Sequence, residues 1–92
     1  MGVRPRQRPK RLPEKLLAIR TALGVSQTQM VKHLDAEGTI VPGQISEFET
    51  GKREPSLIVL LTYARLVGVS TDVLIDDQLD LPAKLPAKSK RS

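Results

Sequence analysis

At Gly24 an apolar run with helical spacing stops, and a second helix can begin within two residues; this close punctuation confines the chain to short helices packed side by side. Leu16, Ile19 and Leu23 recur every three or four residues behind Pro13, a residue acceptable in the first turn of a helix. Gly24 stands where a left-handed terminal residue belongs, and Val25 follows it for the accompanying apolar contact. Ser26-Gln27-Thr28-Gln29 then has capping-box spacing. The serine oxygen can accept from the third backbone amide of the new helix, and Gln29 can reach back to the serine amide. That second helix is expected to turn Met30, Val31 and Leu34 inward.

The same punctuation continues down the chain. Asp35 to Val41 includes Gly38 and has no helical period, which predicts a loop. Pro42 can open a third helix carrying Ile45 and Phe48, closed by Gly51. Ser56 can cap a fourth, with Leu57, Leu60, Leu61, Ala64 and Val67, ended by Gly68. Ser70 can cap a fifth, holding Val73 and Leu74, with Asp72 near its positive end. No run alternates like a strand. A chain of 92 residues has room for one modest core, so the expected fold class is all-α, a compact five-helix bundle over residues 12–80. With one Phe and one Tyr, its core is expected to be aliphatic.

Charge divides the chain differently from hydrophobicity. Residues 1–11 carry Arg4, Arg6, Arg8, Lys10 and Arg11 with no acidic partner, and the C-terminal end adds Lys84, Lys88, Lys90 and Arg91. Between these ends six basic side chains face ten carboxylates, so a net charge of +5 conceals an acidic folded part. Attraction to a polyanion must come from the ends and a few placed side chains. Prolines and like charges in residues 1–11, and the twice-repeated Leu-Pro-Ala-Lys in residues 81–92, predict a flexible basic arm and a basic tail.

Several function classes fall away on the same grounds. Without cysteine there is no disulfide, thiolate metal site or thiol nucleophile. His33 is the single histidine, and Asp72, Asp76, Asp77 and Asp80 lack calcium-loop spacing and read as a solvated helix end. No catalytic residue, metal or cofactor is expected. No apolar run approaches the roughly 20 residues needed to span a bilayer, which predicts a soluble cytoplasmic protein with no membrane partner.

Taken together, LGVSQTQMVKHL, ISEFETGKREPSL and LTYARLVGVSTDVL resemble the XRE-like helix-turn-helix family, which includes phage repressors of the Cro type. The resemblance runs from about Leu16 to Ile75. It implies a lambda-repressor-like bundle, double-stranded DNA as partner, and a sequence-specific transcriptional regulator, a repressor, reading the major groove with the helix around residues 42–50. Ser26 and Gln27 match the family's phosphate-contacting start of the second helix, and Thr50, Lys52 and Arg53 match phosphate-contacting positions after the third. Gly43, Gln44, Ser46 and Glu47 fall on base-reading positions; glutamine suits an adenine edge and glutamate can accept from a cytosine amino group. Arg20 and Glu49 match a structural ion pair that fixes the angle of the reading helix. The arginines of the arm suit the phosphate backbone and the minor groove.

Two departures from the family pattern stand out. Leu34 to Ile45 is several residues longer than the usual tight turn, and Pro42 and Gly43 bring no base-reading side chain to the first reading positions. Ile58, Val59 and Leu66 are apolar where a monomer usually carries polar residues, which predicts a homodimer. The same fold also serves as an antitoxin or an adaptor that binds a protein partner, and the sequence leaves that reading open.

Overall fold

The computed structural model describes residues 8–34, 39–83 and 85. Among them the chain forms α1 (Leu12–Leu23), α2 (Gln27–His33), α3 (Pro42–Thr50), α4 (Leu57–Val67) and α5 (Thr71–Ile75), with no strand. The helix ends follow the predicted chemistry at most positions. Gly24 takes φ 70° and donates its amide to the carbonyls of Arg20 and Thr21, closing α1. Both halves of the Ser26 box form: the Gln29 amide donates to Ser26 Oγ at 3.1 Å and the Ser26 amide to Gln29 Oε1 at 2.8 Å. Ser56 Oγ accepts from the Val59 amide at 3.2 Å. Ser70 precedes α5 as expected, but its side chain makes no capping bond.

The core gathers Leu16 and Ile19 of α1, Met30 of α2, Ile45 of α3, Val67 of α4 and Leu74 of α5, all fully enclosed. α1 is the hub, packed against α3, α4 and α5, while α2 lies against α3. Leu34 and Ile40 are both buried. They anchor the two ends of the enlarged α2 to α3 connection, which explains how added residues there leave the packing of α3 intact. Residues 35–38 of that connection lie outside the described residues.

Two expectations about the interior need correction, and one buried cation was not foreseen. The core is not purely aliphatic, because Tyr63 is fully buried beside the aliphatic side chains. Leu57 stands 81% exposed although it lies on the buried stripe of α4, since at the first turn of the helix none of the described residues covers that stripe. Lys15, on the apolar face of α1, is 2% exposed. Its ammonium donates to the carbonyls of Val73, Asp76 and Leu79 at 2.8, 3.0 and 2.8 Å. A cation thereby satisfies carbonyl groups left over where α5 ends, which is why burying it is tolerated.

Residues 8–11 also depart from the expected flexible arm. The amides of Lys10 and Arg11 donate to the Asp77 carboxylate at 2.9 and 3.0 Å. The Arg11 guanidinium donates to Asp80 Oδ1 at 2.6 Å, to the Asp77 carbonyl at 2.9 Å and to Glu14 at 3.3 Å. The acidic run is therefore not merely a solvated helix end; it clasps the chain entering α1. Those two backbone bonds hold the Asp77 carboxyl below the usual carboxylate range, and Asp80 and Glu14 push the Arg11 guanidinium up. Leu81 and Leu85 pack against the core, so the first residues of the expected tail belong to the folded body. Arg4, Arg6, Lys84 and residues 86–92 lie outside the described residues.

Candidate nucleic-acid interface

α3 buries Ile45 and Phe48 against the bundle and turns Gly43, Glu47 and Thr50 the other way, at intervals of four and three residues. Pro42 within the first turn pre-sets its backbone, and Gly51 with φ 84° ends it. Val41 has no side-chain oxygen to cap the helix start, but its carbonyl accepts from the Gln44 amide at 2.9 Å and its own amide donates to Gln44 Oε1 at 3.0 Å. Gln44 is thus half-buried and tied to the start of its own helix through its oxygen. Ser46 is half-buried, and its carbonyl accepts from Thr50 Oγ1 at 3.0 Å. Gly43 faces open space: a Cβ placed there would meet nothing within 4 Å.

A polar junction ties α3 to the first two helices. Arg20 donates Nε to Glu49 Oε2 at 2.6 Å and Nη2 to Glu49 Oε1 at 3.0 Å, and its Nη1 reaches the Val25 carbonyl at 3.0 Å. Gln27 Nε2 donates to the same Glu49 Oε1 at 3.2 Å. One carboxylate of α3 therefore holds a side chain from α1 and one from α2. The Glu49 side chain is 5% exposed and that of Arg20 19%, so solvent screens this pair little. The bond to Glu49 raises the Arg20 pKa, and desolvation pushes the enclosed Tyr63 hydroxyl well above its ordinary value. The Tyr63 hydroxyl has no hydrogen-bond partner among the described residues.

The remaining predicted contacts lie on or near this surface. Ser26 is exposed and caps α2; Thr50, Lys52 and Arg53 are exposed at and beyond the end of α3. Arg53 Nε donates to Glu47 Oε1 at 2.7 Å, so a predicted base reader and a predicted phosphate contact hold each other. Of the arm, Arg8 pairs with Glu54 at 3.2 Å and Arg11 is clasped by the acidic run. Sequence reasoning missed Val41, which is 60% exposed at the start of α3 next to Pro42 and Gly43. Its position immediately before a helix-opening proline was the signal.

Among the described residues no group of three or more His, Asp or Glu is arranged to hold a metal ion, and no helix is long and apolar enough to cross a membrane. A helix-turn-helix family model matches residues 16–74, which takes in all five helices except the first turn of α1 and the last residue of α5. Neither the curated proteins nor the solved structures include a match to the chain. The chain belongs to the XRE-type helix-turn-helix family of DNA-binding regulators.

Proposed function

We propose that the chain is a repressor that occupies a specific duplex DNA site, with α3 seated in the major groove. The observation that carries this reading is the geometry of α3. Its apolar side is fixed in the core, Arg20 and Gln27 grip it through Glu49, and its outer side offers Gly43 and Glu47, with Gln44 and Ser46 half-buried at the edges of that side. Gln44 keeps its amide nitrogen for a base edge while its oxygen caps the helix. Glu47 meets a cytosine amino group only by sharing or leaving Arg53. Val41 adds an exposed branched side chain of the kind that packs on a thymine methyl group. Gly43 allows the helix backbone itself to approach the base pairs.

Ser26, Gln27, Thr50, Lys52 and Arg53 supply the flanking phosphate contacts in this reading, and Arg4 and Arg6 add attraction from the N-terminal arm. A two-fold dimer on a palindromic site belongs to the same proposal. Ile58 supports it by being 72% exposed, whereas Val59 and Leu66 pack partly against the core and contribute only their rims. Selection from random duplexes at fixed salt, followed by titration of the winner against scrambled DNA, tests the proposal. A shared consensus bound well above scrambled DNA supports it; salt-sensitive binding with no consensus overturns the specific-regulator reading.

A second reading, an antitoxin or adaptor that uses the fold to hold a protein, is favoured by one feature. Leu57 and Ile75, 81% and 44% exposed, line one shallow groove with Pro9 and Pro55. In that case substitution of Leu57 by a polar residue abolishes partner capture and leaves DNA affinity unchanged.

A further inference from the structure

Glu47 and Arg53 are brought together by the way α3 ends. The Glu47 carbonyl accepts from three successive amides, that of Gly51, that of Lys52 at 2.9 Å and that of Arg53 at 3.3 Å. Gly51, at φ 84°, makes the left-handed turn that folds the chain back over this carbonyl. The Arg53 side chain therefore starts from backbone already tied to Glu47, and its Nε donates to Glu47 Oε1 at 2.7 Å. Glu47 Oε2 accepts no hydrogen bond among the described residues. With side chains 52% and 39% exposed, the pair is screened by water and adds little to stability. Its consequence is geometric: it selects one orientation for a carboxylate that would otherwise sample several rotamers.

We propose that Arg53 is a specificity-determining positioning residue, which holds the Glu47 carboxylate in one orientation and keeps Oε2 as the acceptor for a base amino group. The proposal rests on the reading of α3 as the groove-entering helix, and it gives Arg53 a role exerted through Glu47 that is separate from any phosphate contact. The chemistry follows from the atoms. With Oε1 occupied by Arg53, Oε2 can accept from the amino group of cytosine or of adenine. The same oxygen is repelled by guanine O6 and N7 and by thymine O4, which are all acceptors. A bare carboxylate in the groove would also be repelled by the phosphates, and the adjacent guanidinium offsets that repulsion. Holding the side chain in place before binding removes an ordering penalty from the complex.

The test uses the full chain, the duplex recovered by selection from random sequences, and a panel in which each base pair of that duplex is replaced in turn. The base pair at which Glu47→Gln loses the wild-type preference is the one that Glu47 reads, and its identity separates cytosine from adenine. Arg53→Ala is expected to lower discrimination at that same base pair roughly five- to tenfold, with preferences elsewhere unchanged. Lys52→Ala removes the neighbouring exposed cation, which makes no ion pair among the described residues, and is expected to weaken binding to every duplex by one common factor. In the Glu47→Gln background, Arg53→Ala is expected to leave discrimination unaltered. A loss for Arg53→Ala that is uniform across the panel, like that of Lys52→Ala, overturns the positioning role and leaves the reading of α3 standing. A Glu47→Gln variant with every preference intact removes Glu47 as a reader and this proposal with it. A wild-type chain that selects no consensus overturns the reading of α3 as well.

Discussion

Arg20 of α1 closes on Glu49 of α3 through two hydrogen bonds of 2.6 and 3.0 Å, and Gln27 of α2 reaches the same carboxylate at 3.2 Å. This junction restrains how far α3 can tilt or slide against its neighbours. In the proposed reading of α3, Arg20 and Glu49 influence DNA binding by position and not by contact.

Replacing Arg20 by Ala leaves Glu49 desolvated and without its main partner, and a stranded carboxylate of this kind costs about 3 kcal/mol. The expected result is a lower denaturation midpoint and weaker DNA binding together. Gln27→Ala removes one neutral donor and is expected to cost about 1 kcal/mol. Chemical denaturation of both variants, with DNA affinity measured on the folded fraction, checks the pair; an Arg20→Ala variant unchanged in stability and affinity contradicts it.

Lys15 makes a second prediction, independent of DNA. Lys15→Met keeps most of the volume but deprives the carbonyls of Val73, Asp76 and Leu79 of their shared donor. Hydrogen bonds to charged groups contribute about 1.5–3 kcal/mol each, so a loss of about 3 kcal/mol or more is expected. Faster amide exchange should accompany it in α5 and in residues 76–79. A variant with wild-type stability and protection shows that the carbonyls find water at no cost.

Gly43 separates folding from binding. An alanine there meets no atom within 4 Å and occupies ordinary helical backbone, so Gly43→Ala is expected to raise stability by about 0.5 kcal/mol. If the backbone at Gly43 approaches the base pairs, the same methyl group lowers DNA affinity. A higher melting temperature with tighter or unchanged binding removes Gly43 from the contact surface.

Asp77 gives the pH dependence. Its carboxyl titrates below the ordinary range in the folded chain because the amides of Arg11 and Lys10 bond the charged form. The unfolded chain therefore binds the proton at higher pH. The clasp stabilises the fold fully above about pH 4, the unfolded value, and that contribution is lost as pH falls through the lower folded value. Asp77→Ala should remove this acid-range slope while leaving a constant deficit at neutral pH. Parallel acid-unfolding profiles for the two proteins count against the clasp.

Much of this fold was legible in the sequence because helix ends are written locally. Gly24 with Ser26 to Gln29, and Ser56 with its following helix, carry their own hydrogen-bonding instructions within four residues, and these bonds form. The pairing of Arg20 with Glu49 was legible only through resemblance, since twenty-nine residues separate them. Lys15 and Arg11 were missed for one physical reason. The acceptors of Lys15 are backbone carbonyls 58 to 64 residues away, and a carbonyl has no sequence signature. Arg11 looked like one more charge in a basic run because its partners, Asp77 and Asp80, lie across the bundle. Within the site, the outward position of Gly43 and Glu47 follows from helix spacing, but the mutual grip of Glu47 and Arg53 depends on how the chain turns after Gly51.

In the proposed function, duplex DNA meets the outer side of α3 together with the turn that follows it. Backbone amide chemical-shift mapping on the full chain, titrated with its selected duplex, resolves that contact residue by residue. The largest perturbations are expected at residues 41–53, smaller ones at 26–29 and at Lys10, and little change along α4 and α5. Perturbations concentrated instead around Leu57, Ile58 and Ile75, with residues 43–50 silent, contradict that contact.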